Sequence, residues 1–117
     1  MFKRDIRLYI DDIKESIGAI EEFTSEINFE GFTSDRKTYS ATLREFIVIG
    51  EAISHIPENL KERFPQVEWR QIKDFRNFIV HEYFGIDAKI VWDAVKQELP
   101  LLKIEISCLE ESLQDNN

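Results

Sequence analysis

The sequence predicts an all-α domain, an up-down bundle of four or five helices. Two observations carry this. Apolar residues recur at three- and four-residue steps along most of the chain. No stretch alternates apolar and polar residues in the manner of a half-buried strand. At 117 residues the chain is one domain, 1–117, long enough to bury a core without disulfides or a structural metal.

The first helix spans roughly Lys3 to Ile27, with Ile6, Ile10, Ile13, Ile17, Ile20 and Ile27 as its stripe and Phe23 filling the one wide gap. Asn28 and Gly31 break it. Phe29 to Ser34 reads as a loop or a single turn, with Thr33 or Ser34 capping the next helix. That second long helix runs from about Asp35 to His55 on Tyr39, Leu43, Phe46, Ile47 and Ile53. Gly50 lies inside it, where glycine costs ~1 kcal/mol against alanine, which suggests close approach of another helix. Pro57 ends this helix and opens a short one, Glu58 to Phe64, which Pro65 closes. The third main helix runs from Val67 or Glu68 to about Tyr83. A turn at Phe84-Gly85-Ile86 and an N-cap at Asp87 lead into the last. Ile90, Val91, Val95, Leu99, Leu102, Ile106, Leu109 and Leu113 form that helix's stripe. Pro100 should kink it, and Gln114 to Asn117 should fray.

The composition narrows the function classes. Cys108 is the one cysteine, so no intrachain disulfide can form; on the last helix it reads as a small buried apolar residue. No apolar run nears the ~20 residues of a membrane span, and the amino terminus turns charged too soon for a signal peptide. A cytoplasmic protein is expected. The net charge of −8 argues against sequence-blind binding to phosphate backbones, so any RNA contact needs a local positive patch or a second subunit. Such a patch exists in the sequence: Lys61, Arg63, Arg70, Lys73 and Arg76 outnumber Glu62, Glu68 and Asp74. No cluster of His, Cys, Asp and Glu has metal-ligand spacing, and the four glycines form no phosphate loop.

The chemistry is concentrated between Trp69 and Tyr83. Each residue of an α-helix turns about 100°. Ile72, Phe75, Phe78 and Ile79 then fall on a core face, while Arg70, Lys73, Asn77 and His81 share a polar one. Arg76 and Tyr83 lie together on a flank with Trp69 and Val80. Arginine and histidine suffice for RNA cleavage without a metal. The ribose 2′-hydroxyl attacks the adjacent phosphate, histidine moves the proton, and arginine holds the developing charge. DNA, lacking that hydroxyl, is spared. Asn77 can orient either the histidine or the phosphate. Arg76 and His81 are five residues apart, hence about 140° apart around the axis. Uniting them requires a curled arginine, a distorted helix end, or a dimer interface. The same residue types also fit a plainer arrangement: Arg76 paired with Asp74 or Glu82, His81 a surface group at a helix C-terminus, Tyr83 a half-buried aromatic, His55 solvated.

The run Arg76-Asn77-Phe78-Ile79-Val80-His81-Glu82-Tyr83-Phe84-Gly85-Ile86-Asp87 resembles the Arg-Asn-x3-His-x-Tyr signature of the HepT-like toxins of the HEPN superfamily. Leu43-Arg44, Ile49-Gly50-Glu51-Ala52, Phe64-Pro65, Val91-Trp92 and Leu99-Pro100 resemble the same family, so the likeness covers nearly the whole chain. The resemblance implies a HEPN helical bundle that forms a homodimer, with the motif helices facing each other and pooling both copies of Arg70, Lys73 and Arg76. It implies a ribonuclease toxin acting on RNA, such as a tRNA or an mRNA. It implies no cofactor of its own. It also implies an MntA-type minimal nucleotidyltransferase antitoxin that transfers AMP from ATP onto Tyr83, blocking RNA by charge and bulk. The alternative is a non-catalytic helical binding partner of such a nucleotidyltransferase. A blander one is a structural dimer whose motif face is only an interface.

Overall fold

The computed structural model describes residues 4–115. Helix α1 (Ile6–Thr24), α2 (Phe29–Ser34), α3 (Arg36–Ser54), α4 (Glu58–Lys61), α5 (Trp69–His81), α6 (Ala88–Asp93) and α7 (Leu99–Asp115) follow in order. A π turn, Ala94–Glu98, joins α6 to α7. Among the described residues there is no strand, as the spacing predicts. Lys3, the predicted start of α1, lies outside the described residues. So do Asn116 and Asn117, while α7 runs past Gln114, where fraying is expected.

Helix ends are set by short polar side chains that accept from otherwise orphaned amides. Asp5 accepts from the Arg7 amide at 2.9 Å and Asp87 from Lys89 at 2.9 Å. Asn28 accepts from the Gly31 amide at 2.8 Å, turning the expected loop into the short helix α2. Asp35, and neither Thr33 nor Ser34, caps α3: it accepts from the Thr38 amide and from the Thr38 hydroxyl at 2.7 Å. Both hydroxyls instead donate to carbonyls of their own helix.

Helices α1, α3 and α7 enclose the core, and α5 packs on α3. Ile10, Ile13, Ile17 and Ile20 are buried as predicted and meet Leu43, Phe46, Ile49 and Ile53 of α3. Phe23 is exposed; Thr24 takes the inward place, its hydroxyl donating to the Ile20 carbonyl at 2.8 Å. A phenyl ring one residue out of phase would leave the stripe, whereas a threonine can satisfy its polar atom within the helix.

On the last helical segment Val91, Val95, Leu99, Ile106 and Leu109 are buried, but Ile90 is exposed and Trp92 is buried in its place. Trp92 packs against Phe29 and Phe32 of α2, which turns that face inward. The chain widens just before Pro100, with the Leu99 amide donating to Ala94 five residues back. A wide turn accommodates the ring and the missing N–H together. Cys108 is exposed rather than buried, because Ile106 and Leu109 occupy the inward positions on either side of it.

Candidate functional site

Helix α5 carries the predicted chemistry, and the loop before it is pinned by Trp69. The indole N–H of Trp69 donates to the carbonyls of Phe64 (3.1 Å) and Lys61 (3.2 Å). The expected short helix to Phe64 stops at Lys61, and α5 begins at Trp69. Ile79 is the buried residue of α5, with Ile72 and Phe75 packed part-way onto the core. Phe75 meets Phe46 edge-on at 5.1 Å.

Arg76 crosses α3 at Gly50. A Cβ added at position 50 would lie 2.6 Å from the Arg76 Cγ and closer still to its Cβ. This is the close approach that a glycine inside a helix suggests: the missing side chain is the space the arginine stem fills. The stem leads the guanidinium to α3, not back to its own helix. Its partner is therefore Glu51, with Nη1 3.5 Å from Oε2, and not Asp74 or Glu82. Arg76 Nε is the one buried side-chain N or O atom among the described residues that lacks a hydrogen-bond partner. Buried polar atoms are nearly always satisfied, so this one calls for an explanation.

His81 is the last residue of α5 and is exposed. The helix stays regular through both positions, so the turn of about 140° between Arg76 and His81 persists. No distortion at the helix end brings them together, and the Arg76 side chain reaches toward α3. Arg70 and Lys73 are exposed and have no ion-pair partner among the described residues; Asn77 is half-buried. The polar face predicted for these residues is thus present as a cationic strip. Tyr83 lies in the turn after α5, 38% exposed, its ring edge-on to Phe84 at 5.5 Å. Phe84 is 99% exposed. Below this turn the Tyr39 hydroxyl donates to the Ile86 carbonyl at 3.4 Å. Burial, then the nearby Tyr83 and Asp87, hold that hydroxyl's pKa above the ordinary tyrosine value.

Three features escape the helical-wheel reading. Glu51 also faces His55, at 3.7 Å from Nε2, and so stands between Arg76 and that histidine. His55 is not merely solvated: its ring stacks on Tyr9 of α1 at 4.6 Å with 7° between planes. The signal for Glu51 was its place beside Gly50 and four residues before His55. Tyr9 gave no such signal, since its partner is on another helix. The third is an apolar groove of about 470 Å³ on the other flank of α5, between Phe75 and Leu102, which contains none of the predicted site residues. No group of three His, Cys, Asp or Glu among the described residues is placed to hold a metal ion. No described helix is long and apolar enough to cross a membrane.

A family model described as "Ribonuclease HepT-like" matches residues 13–109, which include α3, α5 and the turn with Tyr83. The chain belongs to the ribonuclease HepT-like family. Among its relatives is a protein of Thermococcus cleftensis named "Probable ribonuclease HepT", 44% identical over 101 residues, covering 86% of this chain and 92% of that one. Another, of Methanocaldococcus jannaschii, is named "Putative RNase MJ0127"; it is 37% identical over 115 residues, covering 98% of this chain and 93% of that one. No solved structure matches the chain significantly. HepT-like membership agrees with the all-α fold described above and with the resemblance carried by the Arg76 to Asp87 run.

Proposed function

We propose that this chain is an endoribonuclease that cuts RNA by in-line attack of a ribose 2′-hydroxyl on the adjacent phosphate, with Arg76 and His81 as its chemical groups. The observation that carries the reading is Arg76: in a chain of the ribonuclease HepT-like family, an arginine stem is pressed onto Gly50 and its guanidinium is left with Nε unpartnered. Such a group holds a phosphate and the charge that grows on it in the transition state. In the reaction the 2′-oxygen–phosphorus bond forms and the phosphorus–5′-oxygen bond breaks. A neutral imidazole takes the 2′-hydroxyl proton, and a protonated one supplies a proton to the leaving oxygen. The divergence of Arg76 and His81 on one helix favours a homodimer in which each copy completes the other's site. Two cationic strips of Arg70 and Lys73 would then line one cleft, overcoming the overall charge of −8, with Asn77 as the orienting amide.

On this reading the chain is the toxin of a pair, and its partner is an MntA-type minimal nucleotidyltransferase that uses ATP to place AMP on Tyr83. The exposure of Tyr83, in the turn two residues beyond His81, supports that control: a phosphate there would repel RNA. The fully exposed Phe84 beside it also favours a second reading, a non-catalytic chain that docks on such a partner through this turn.

The deciding experiment is RNA cleavage with EDTA present, comparing the wild type with Arg76→Ala and His81→Ala. We expect 2′,3′-cyclic phosphate ends, and a loss of about 10²–10⁴-fold in each variant. Undiminished cleavage by His81→Ala would remove the histidine from the mechanism; no cleavage by the wild type leaves the docking reading.

A further inference from the structure

We propose that the depression beside Arg76, bounded by Arg4, Tyr9, Glu51 and His55, is a nucleobase subsite that selects guanine in the RNA. The proposal rests on the RNA-cutting reading above and adds a base-recognition element to it.

Three planar groups, from α1, the residues before it and the end of α3, converge here. Tyr9 and His55 stack at 4.6 Å, 7° from parallel, and the Arg4 guanidinium lies 4.9 Å from the Tyr9 ring centre. Tyr9 and His55 each give one face to the other, and unpaired RNA bases stack on the planes that such a pile leaves outward. The depression measures about 230 Å³, room for one base, and its remaining lining is aliphatic: Ile47, Val48 and Ala52. Apolar walls suit the faces of a base and leave selectivity to the polar rim.

That rim holds two carboxylates in different states. Asp12 is engaged by the Arg4 guanidinium in a hydrogen bond, which also holds the Arg4 pKa above its ordinary value. Glu51 is half exposed, and its cationic neighbours stand at 3.5 Å (Arg76) and 3.7 Å (His55) without a hydrogen bond to it. It is therefore the open acceptor of the pocket. A carboxylate whose two oxygens are ion-paired but accept no hydrogen bond matches two adjacent N–H donors. Among the four RNA bases, guanine alone presents such a pair on its pairing edge, N1–H beside the 2-amino group. Adenine and cytosine offer one amino group, and uracil one ring N–H.

The same carboxylate couples the pocket to the chemistry. Glu51 is the Arg76 partner, so a base bound at Glu51 sits one side chain from the group that grips the phosphate. A guanine that draws the Glu51 oxygens toward its own donors also frees Arg76 to turn to the phosphate. Base recognition and phosphate binding are then linked through one residue.

The test has a binding arm and a cleavage arm. In the first, the wild-type chain is titrated with GMP, AMP, CMP and UMP while the ring resonances of Tyr9 and His55 are followed by NMR. GMP should shift both and bind at least ten-fold tighter than AMP. Tyr9→Ala should abolish the shift of His55, and His55→Phe, which keeps a stacking plane, should retain GMP binding. Glu51→Gln should bring GMP down to the affinity of AMP. In the second arm, cleavage at guanine-containing sites is compared with cleavage after replacement of that base. Tyr9→Ala should raise KM about ten-fold with a smaller change in kcat. Active enzyme with no ring shift from GMP, and with KM and base preference unchanged in Tyr9→Ala, overturns the subsite and leaves the ribonuclease reading standing. Selective GMP binding to a chain that cuts no RNA upholds the pocket and removes the nuclease. Equal binding of AMP and GMP overturns the guanine assignment.

Discussion

Helices α1 and α3 bury their faces in each other, whereas α5 keeps most of its surface in the open. Over their 19 residues each, α1 buries four isoleucines together with Ser16 and Thr24, and α3 buries seven residues including Gly50. Over its 13 residues α5 buries Ile79 and no other. One flank rests on α3, another faces the apolar groove, and the rest presents Arg70, Lys73, Asn77 and His81. Regions with few buried contacts are the ones that open locally at low cost. The bundle therefore divides its labour: the α1–α3 pair supplies stability, and α5 gives its surface to polar groups that do little for folding.

Substitution on the stable side should have the largest effect. Ile13→Ala, at a fully buried position, should lower unfolding free energy by about 2–5 kcal/mol in a urea titration. A loss no larger than that from truncating Lys73, expected within about 0.5 kcal/mol, would break the contrast. The junction of the two regions sharpens it. Gly50→Ala gains ~1 kcal/mol of helix propensity but must displace the Arg76 stem, an overpacking cost of about 1–3 kcal/mol. We expect a modest net change in melting temperature with at least a ten-fold fall in RNA cleavage. Full activity in that variant would sever the proposed tie between Gly50 and the arginine. The smallest effect lies at the α3 N-terminus. The Thr38 hydroxyl and amide hold the Asp35 carboxyl below its usual pKa. A depressed carboxylate contributes fully above the ordinary aspartate value of about 3.9 and loses its contribution as pH falls through its lowered one. Asp35→Ala should thus melt slightly lower than wild type at pH 7, and the gap should close only in stronger acid.

Much of the bundle was legible because isoleucine spacing reports one helix face directly. The Ile10, Ile13, Ile17 and Ile20 stripe needed no tertiary information, and Gly50 announced a crossing. The features that stayed hidden depended on side-chain chemistry within a turn or on neighbours distant in sequence. Phe23 and Thr24 were exchanged because periodicity cannot say which of two adjacent residues wins when one is aromatic and the other can bond its own helix. Ile90 was exchanged for Trp92 because the aromatic cluster of α2 decides that face. Of the site, the cationic strip on α5 could be read from one helix alone. The Glu51 partner of Arg76, and the Tyr9 ring under His55, belong to other helices and have no counterpart in the spacing of α5.

Cys108 stands exposed on α7 as the single thiol of the chain. Each protomer therefore accepts one spin label with no substitution made to allow it. A two-fold assembly would return one interlabel distance and a lone protomer none. A measurement of a few nanometres can thereby decide whether two copies assemble at all.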